Sequence, residues 1–488
     1  MKRRFLAMAA GMATVALALL GPGGSPARAE QGVQAAEDYG LSLDNFVLRP
    51  VRNQATLGRL TSELKADIPT VGVNRILQEA NNTGTPERSG PCNPSASAGV
   101  PIGNLYSSIC FDADDAGTDG GTPEWRPQGV TSVADADADQ VWGDPEPDIG
   151  WYPSEHRPMI VTWYHLDEVT ESPDENGKNT DVKGARISII DKNTGKYAHV
   201  LLVYPYDNVN QNASYMSLRT SQHYGKGSLH AGGAVWYGYK LYVPDTARGF
   251  RVFDLRDIMD LKAAGAKGNL TEKRMVGRQD GVYYGHGYRY VLPETTGWTN
   301  AACDDFDIPG GLPGCDMQDE AKKCTADDRT PRTSYASLDR SGSVRHIVSG
   351  EWCSAADASG PKETGRVVRW PMETSGGVPR TDANGMWRAD AAYRIPYVPA
   401  WEQNGTVQGA AVIDGTWYLS QSYGSTKLGT LIKATQPGTS TGTLTADPDR
   451  RVAAIGVEDL SVWPRDGADL IWTVSEFPGK RMLYSVTQ

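Results

Sequence analysis

The chain has 488 residues, long enough for a large core in one or two domains. Charged residues make up 22% and the formal net charge is -11, which excludes the basic surplus that a nucleic-acid phosphate binder needs. Gly 54, Pro 30 and Tyr 22 beside Phe 7 describe a turn-rich β protein with many half-exposed aromatics.

The chain opens on an export signal. Lys2, Arg3 and Arg4 precede an Ala/Leu-rich run over 5–20, and Ala27-Arg28-Ala29 offers small residues at the two positions a signal peptidase reads. Cleavage after Ala29 is expected, by general secretion because the spacer of a twin-arginine signal is missing. The run is too short and too weakly apolar for a membrane span. No other segment has the length to cross, so the mature protein is expected to be soluble, extracellular and monomeric. Six cysteines fit that compartment: Cys92, Cys110, Cys303, Cys315, Cys324 and Cys353. Their even number and the absence of C-x-x-C spacing favour disulfides over metal binding. Cys92 and Cys110 stand alone in one loop-rich segment and are expected to pair. The other four allow three pairings.

Residues 30–127 read as an N-terminal extension, partly helical over 57–67 and 75–82, then a Gly/Pro/Ser/Asp-rich loop stapled by the first disulfide. From Gln128 the sequence repeats. Strand patterns at 128–133, 159–164, 185–190 and 198–204 form a first unit. Residues 229–255 form a second, an antiparallel meander with period-2 apolar alternation between Gly/Asp turns. A third is expected from His286, a fourth from Gln408 and a fifth from Glu458. A single meander cannot bury both faces of its sheet, so it needs copies of itself as neighbours. Imperfect repeats of three or four strands, nearly all opening on a polar residue beside a small one, predict an all-β fold. It is a β-propeller of five blades over 128–488, with six as the alternative count because the strands at 366–398 do not assign cleanly. The last unit shows only three strands, so a strand from the N-terminal region is expected to close the ring.

Three stretches carry a resemblance: HAGG…YVPDT…GFRVFDL within 230–255, QGAAVIDGTWYLSQSYG over 408–424, and VEDLSVW…LIWTVSEFPGKRMLYSV within 457–486. They resemble uncharacterised secreted β-propeller proteins of actinobacteria over roughly 128–488. In repeat style alone, the chain is similar to the strictosidine synthase and gluconolactonase propellers. That likeness implies functional residues near the central axis. The lactonases place acidic and Asn metal ligands at blade openings, whereas this chain offers His and Gln.

Inner strands of a propeller start around its central channel, so the openings Gln128, His230, His286, Gln408 and Glu458, with Asp459 adjacent, are expected to converge there. Small neighbours such as Gly129, Gly232 and Gly409 leave room for a ligand. Two imidazoles, carboxylates and amides suit a divalent cation, calcium or a transition metal, or acid–base chemistry. The alternative is a polar plug bonded to itself and to water. His230, His286 and Glu458 are the candidate catalytic and metal-binding residues. Gln128, Gln408, Asp459 and Trp236 are the candidate substrate contacts. A glycosidase would need a second carboxylate facing Glu458, with Glu351 or Glu402 available. The acidic run 112–115 opens like a calcium loop, but Pro123 stands where the closing Glu belongs, so it reads as a solvated loop. No H-E-x-x-H, G-x-S-x-G or Walker-type loop is present, and no nucleotide or organic cofactor is indicated. The sequence therefore predicts a secreted hydrolase or lyase acting on a small molecule or glycan. Its runner-up is a non-catalytic propeller that presents aromatics to a glycan or a protein.

Overall fold

A computed structural model describes residues 41–88, 90–118, 124–142, 157–166, 182–219, 229–246, 248–301, 331–353, 365–396 and 406–488. The export segment, Cys303, Cys315, Cys324, Trp151, Trp401, Glu402, His156 and His223 lie outside the described residues. Residues 39–488 form one compact unit.

The protein is a five-bladed β-propeller. Blade 1 is Trp125–Ser132, Pro158–His165, Ala185–Asp191 and Lys196–Asp207, each strand antiparallel to the next. Blade 2 contains the meander, as Val235–Tyr237, Lys240–Asp245 and Gly249–Asp254, and adds Tyr290–Asn300 outside them. Blade 3 is Tyr335–Asp339, Arg345–Gly350, Arg366–Met372 and Ala391–Arg394. Blade 4 is Thr406–Ile413, Thr416–Ser422, Leu428–Thr435 and Thr445–Ile455. Blade 5 has Val457–Trp463, Leu470–Ser475 and Leu483–Thr487, completed by Leu105–Cys110 from the N-terminal region. The inner strands touch in the cyclic order 1–2–3–4–5–1.

Two sequence expectations change. The stretch from His286 does not open the third blade. His286 and Gly287 have φ of 54° and 82° and form the turn before Tyr290–Asn300, the outer strand of blade 2. A polar-small pair therefore arose from a turn, where Gly and a residue tolerating positive φ are wanted. Of the three strands at 366–398, Arg366–Met372 and Ala391–Arg394 are the outer strands of blade 3 and the short Trp387–Arg388 pairs with Val47–Pro50, so there is no sixth blade among the described residues.

The small residues at true blade openings have a packing cause. A Cβ on Gly129 would lie 2.5 Å from Gly233 Cα, and one on Gly409 would lie 2.7 Å from Asp459 Cα. Neighbouring inner strands meet there backbone to backbone, and only glycine permits that distance.

The N-terminal extension is knitted into the ring. Helices Gln54–Asp67 and Val73–Gln78 pack their apolar side chains, among them Leu60, Leu64, Ile76 and Leu77, on the core of blades 1 and 2. Val47–Pro50 pairs with Tyr290–Asn300, and Thr85–Glu87 lengthens blade 5 beyond Leu105–Cys110. The Cys92–Cys110 disulfide is formed, and Cys353 is also disulfide-bonded. Among the described residues no helix is long and apolar enough to cross a membrane.

Directly after the closing strand, the acidic run 112–115 proves structural. Asp112 caps the short helix Ala113–Ala116, accepting from the Asp115 N–H at 3.2 Å. Asp115 is buried in blade 1, accepting from Arg186 Nη2 at 2.5 Å and Tyr197 Oη at 2.6 Å, with His199 Nε2 at 3.0 Å. His199 Nδ1 lies 2.9 Å from Ser188 Oγ, which accepts from Trp163 Nε1 at 2.8 Å. Burial opposes ionisation of Asp115, yet Arg186 and His199 prevail and hold it far below the usual carboxylate range. Removing one partner of such a buried ionic set leaves the other charge stranded. Asp115→Ala should therefore cost about 3–5 kcal/mol of unfolding free energy by urea titration. Substitution of its exposed neighbour Asp114 should stay within about 0.5 kcal/mol. Equal losses for the two would show that the closure does not rely on Asp115.

Candidate active site at the mouth of the axis

A cavity of about 330 Å³ opens where the inner strands begin. Blade 1 supplies Gln128, blade 2 His230 and the corner Asp245-Thr246, and blade 3 Arg332, Ser334 and Trp352. Blade 4 supplies Gln408, and blade 5 Glu458 and Glu476. Four of the seven residues expected from sequence meet here: Gln128, His230, Gln408 and Glu458.

The other three lie elsewhere. His286 sits at the outer edge of blade 2, with Nε2 2.8 Å from Ser217 Oγ and Nδ1 donating to the Lys273 carbonyl at 3.2 Å. Trp236 is fully buried against Trp142, their rings 4.7 Å apart, and its indole N–H donates to the Gly238 carbonyl. It fills a blade interface. Asp459 is also fully buried and does not line the cavity; its Oδ2 accepts long bonds from the Val130 and Ala234 amides at 3.4 and 3.3 Å. It links blades 1, 2 and 5 from outside the cavity lining. Asp135 does similar work, its Oδ2 accepting hydrogen bonds from the Thr131 and Ser461 hydroxyls at 2.7 and 2.8 Å. Burial pushes the Asp135 pKa up to about 6.

The strongest chemistry is a pair of carboxyls from blade 5. Glu458 is 1% exposed; burial first, then Glu476 and Asp459, push it well above the ordinary glutamate range, so its protonated form is favoured. Gln408 Nε2 donates to its Oε1 at 3.3 Å. Glu476 is also raised by burial, but Arg126 Nη1 donates to its Oε1 at 3.0 Å and the Tyr164 hydroxyl bonds to it, both favouring the ionised form. One cavity is thus lined by two buried glutamates, both raised by burial, with Arg126 and Tyr164 working against that rise at Glu476. Burial and then Glu476 push the Tyr164 phenol up, so it stays a donor.

His230 lies with its ring 4.6 Å from that of Tyr164, at an interplanar angle of 31°. The ring is deep in the channel but open to cavity water, which moderates the effect of its burial. Burial, then Arg126 and Arg332, move its pKa downward, so the imidazole is neutral at pH 7. Asp245 is matched by Arg251, whose Nε donates at 3.0 Å and whose Nη1 reaches Glu294 at 2.9 Å. Glu351 does not reach the cavity. Burial opposes its charge, but two bonds from Arg366, at 2.8 and 2.7 Å, hold it below the ordinary range. Among the described residues no three His, Cys, Asp or Glu side chains gather as a metal ion requires. The imidazole pair expected for a cation is not formed.

Glu476, Arg332, Ser334 and Trp352 were not anticipated. The signal for Glu476 was present: an acidic residue stands at or just after the end of the second strand in blades 2, 3 and 5, as Asp245, Glu351 and Glu476. Second strands run back to the face where first strands begin, so their ends belong to the same site.

No protein-family model matches the chain, and no curated protein matches it. Several solved structures align weakly. A GH43_1 enzyme from Xanthomonas citri is 10% identical, over 72% of this chain and 91% of that one, with a TM-score of 0.31. A GH32 β-fructofuranosidase from Bombyx mori is 9% identical, over 88% and 65%, at 0.33. A putative 6-phosphogluconolactonase from Bacteroides uniformis is 11% identical, over 79% and 96%, at 0.28. Likeness at this level says nothing about chemistry, and the blade assignment rests on this chain's own strand pairing.

Glu458 gives the site a pH signature. Below the unfolded value near pH ~4.3 both states carry the proton and no penalty exists. As pH rises above it, the unfolded chain ionises first and native stability falls, by about 1.36 kcal/mol per unit of pKa difference, until the folded group ionises too. Glu458→Gln should therefore gain in Tm over the wild type between pH 5 and pH 8. A constant Tm difference across that range would mean that Glu458 ionises normally.

Proposed function

We propose that this protein is an exported hydrolase that cleaves a C–O bond in a small substrate by acid–base catalysis. The observation that carries the reading is the pair of carboxyls lining one cavity, Glu458 favoured as the acid and Glu476 as the carboxylate. Both are raised, Glu458 well above the ordinary range, while Arg126 and Tyr164 work against the rise at Glu476; separating two titratable groups is how a fold runs acid and base chemistry at one pH. Glu458 gives its proton to the departing oxygen as the C–O bond breaks. Water attacks the carbon, and its proton passes to Glu476. The net change is addition of water across the bond; Glu476 then releases the proton it took from water and Glu458 takes one up, by exchange with solvent, which restores both carboxyls. Arg126 and Tyr164 fix the Glu476 carboxylate. His230, neutral and open to the cavity, orients water or substrate.

The export pattern at the N-terminus and the Cys92–Cys110 disulfide support an oxidising, extracellular setting. A divalent cation is not needed for this chemistry, since proton transfer neutralises the departing oxygen. The pure binding alternative lacks a reason to hold two carboxyls out of water in one cavity, where desolvation works against both.

The reading is tested with chromogenic esters and glycosides assayed against the wild type, Glu458→Gln and Glu476→Gln. Each variant should lose about 10²–10⁴-fold in kcat, the contribution of a positioned acid or base. The wild-type pH profile should have an alkaline limb that Glu458→Gln abolishes, and dialysis against a chelator should leave activity unchanged. Turnover retained in both variants, or lost on chelation and restored by calcium or zinc, would overturn the acid–base assignment.

A further inference from the structure

We infer that the cavity binds an uncharged sugar ring, with the Trp352 indole as its stacking face and the Gln128, Ser334 and Gln408 side chains as readers of its hydroxyls. This rests on the hydrolase reading for the bond cleaved but not for the ligand bound.

Size comes first. About 330 Å³ is at the small end of ligand cavities, which run from roughly 300 to 1,000 Å³, so the portion of ligand held inside is ring-sized. The kind of polar lining comes second. Gln128 spends one amide N–H on the Pro127 carbonyl at 3.0 Å, and Gln408 spends one on Glu458 at 3.3 Å. Each carboxamide keeps an oxygen and a second N–H for a ligand. Ser334 is 93% buried, on its 7% exposure, and its Oγ has no hydrogen-bond partner. A buried hydroxyl left unmatched is costly, and a turn about its χ1 toward a ligand hydroxyl would recover the bond. Thr246 and neutral His230 add two more groups that can donate or accept.

Groups that both donate and accept suit ligand hydroxyls, which do the same. They suit charged ligands poorly. Asp245 and Glu476 face Arg251 and Arg126, so neither is set aside for an ammonium. Arg332 is the one cation among the described residues lining the cavity, too few for a phosphate. Trp352 and Leu229 supply apolar surface. An apolar face beside a rim of matched hydrogen bonds is the surface of a pyranose or furanose ring. Sites built around ligand hydroxyls also discriminate strongly, because a missing hydroxyl leaves buried protein groups unmatched.

The experiment is isothermal titration of the full chain with methyl glycosides and disaccharides of glucose, galactose, mannose, xylose and arabinose. Glucuronic acid and ring-sized cyclohexanols serve as controls. At least one neutral saccharide should bind, more tightly than glucuronic acid and the cyclohexanols. Ser334→Ala should weaken that binding about fivefold or more, and Trp352→Ala about tenfold or more, with Trp352→Phe restoring part of it. Ser334→Ala keeps the test valid if the Trp352 variant misfolds. No saccharide binding, tighter binding of the acid, or binding indifferent to Ser334→Ala would overturn the inference. Cleavage of esters without saccharide binding would sink it while leaving the acid–base reading intact. Saccharide binding of the expected pattern with no cleavage would sustain it and remove the hydrolase reading instead.

Discussion

The ring depends on its closure, where strands from opposite ends of the chain pair. Leu105–Cys110 bonds antiparallel to Leu483–Thr487, with Ile109 opposite Leu483 and Ser108 opposite Tyr484. A ring of sheets has no stable partial form at this seam, because an unpaired strand edge leaves a ladder of backbone groups without partners. The seam is reinforced from inside by Arg481, which is 2% exposed and donates to the carbonyls of Asp115 and Trp125 at 2.6 Å each. It also donates to the Glu476 carbonyl at 2.8 Å. The same guanidinium therefore ties the closing segment to blade 1 and holds the backbone of a candidate catalytic residue. Burial pulls its pKa down to about 10, still high enough to keep the charge at neutral pH.

The axis separates two uses of buried carboxyls. Asp459 and Asp135 lie away from the cavity, bonded to backbone amides and hydroxyls of neighbouring inner strands, and they act as cross-braces. Glu458 and Glu476 come from the same blade but line the cavity, where a ligand can reach them. Adjacent residues in sequence, Glu458 and Asp459, thus do different work; both lie in the register irregularity between Val457 and Leu460, where a strand can re-aim its side chains. The sequence grouped the two, whereas the structure places only Glu458 on the cavity.

Architecture was more legible than chemistry, for physical reasons. Period-2 alternation and turn residues report sheet formation directly, and all five blades except the third show their inner strand in the sequence. The third was misplaced because His286-Gly287 and the true openings share a pattern from different causes, one a left-handed turn and the other close backbone approach. Glu476 was missed because the reading followed first strands alone, whereas an antiparallel blade brings the end of its second strand to the same rim. Arg332 and Ser334 precede a strand whose blade had been wrongly started, so no register pointed to them. The completing strand was anticipated by counting, since three strands in the last unit required a fourth. Its partner Asp115 was not, because a buried ionic set leaves no periodic trace.

Pairing Leu105–Cys110 with Leu483–Thr487 also dictates an order of assembly. A chain made from its N-terminus presents 105–110 long before 483–487 exists. During that interval the early strand holds one ladder edge open. The short pairing with Thr85–Glu87 covers its other edge, and the Cys92–Cys110 bridge tethers it locally. Blades 1 to 4 can form in turn behind it, but blades 1 and 4 face an unfinished blade 5 until Leu483–Thr487 is made. Until then, the polypeptide lacks the closed ring, Arg481 in its place, and a positioned Glu476 together. Unclosed copies would carry open strand edges, which recruit other chains, so this topology makes resistance to aggregation and the candidate chemistry depend on the same strand pairing.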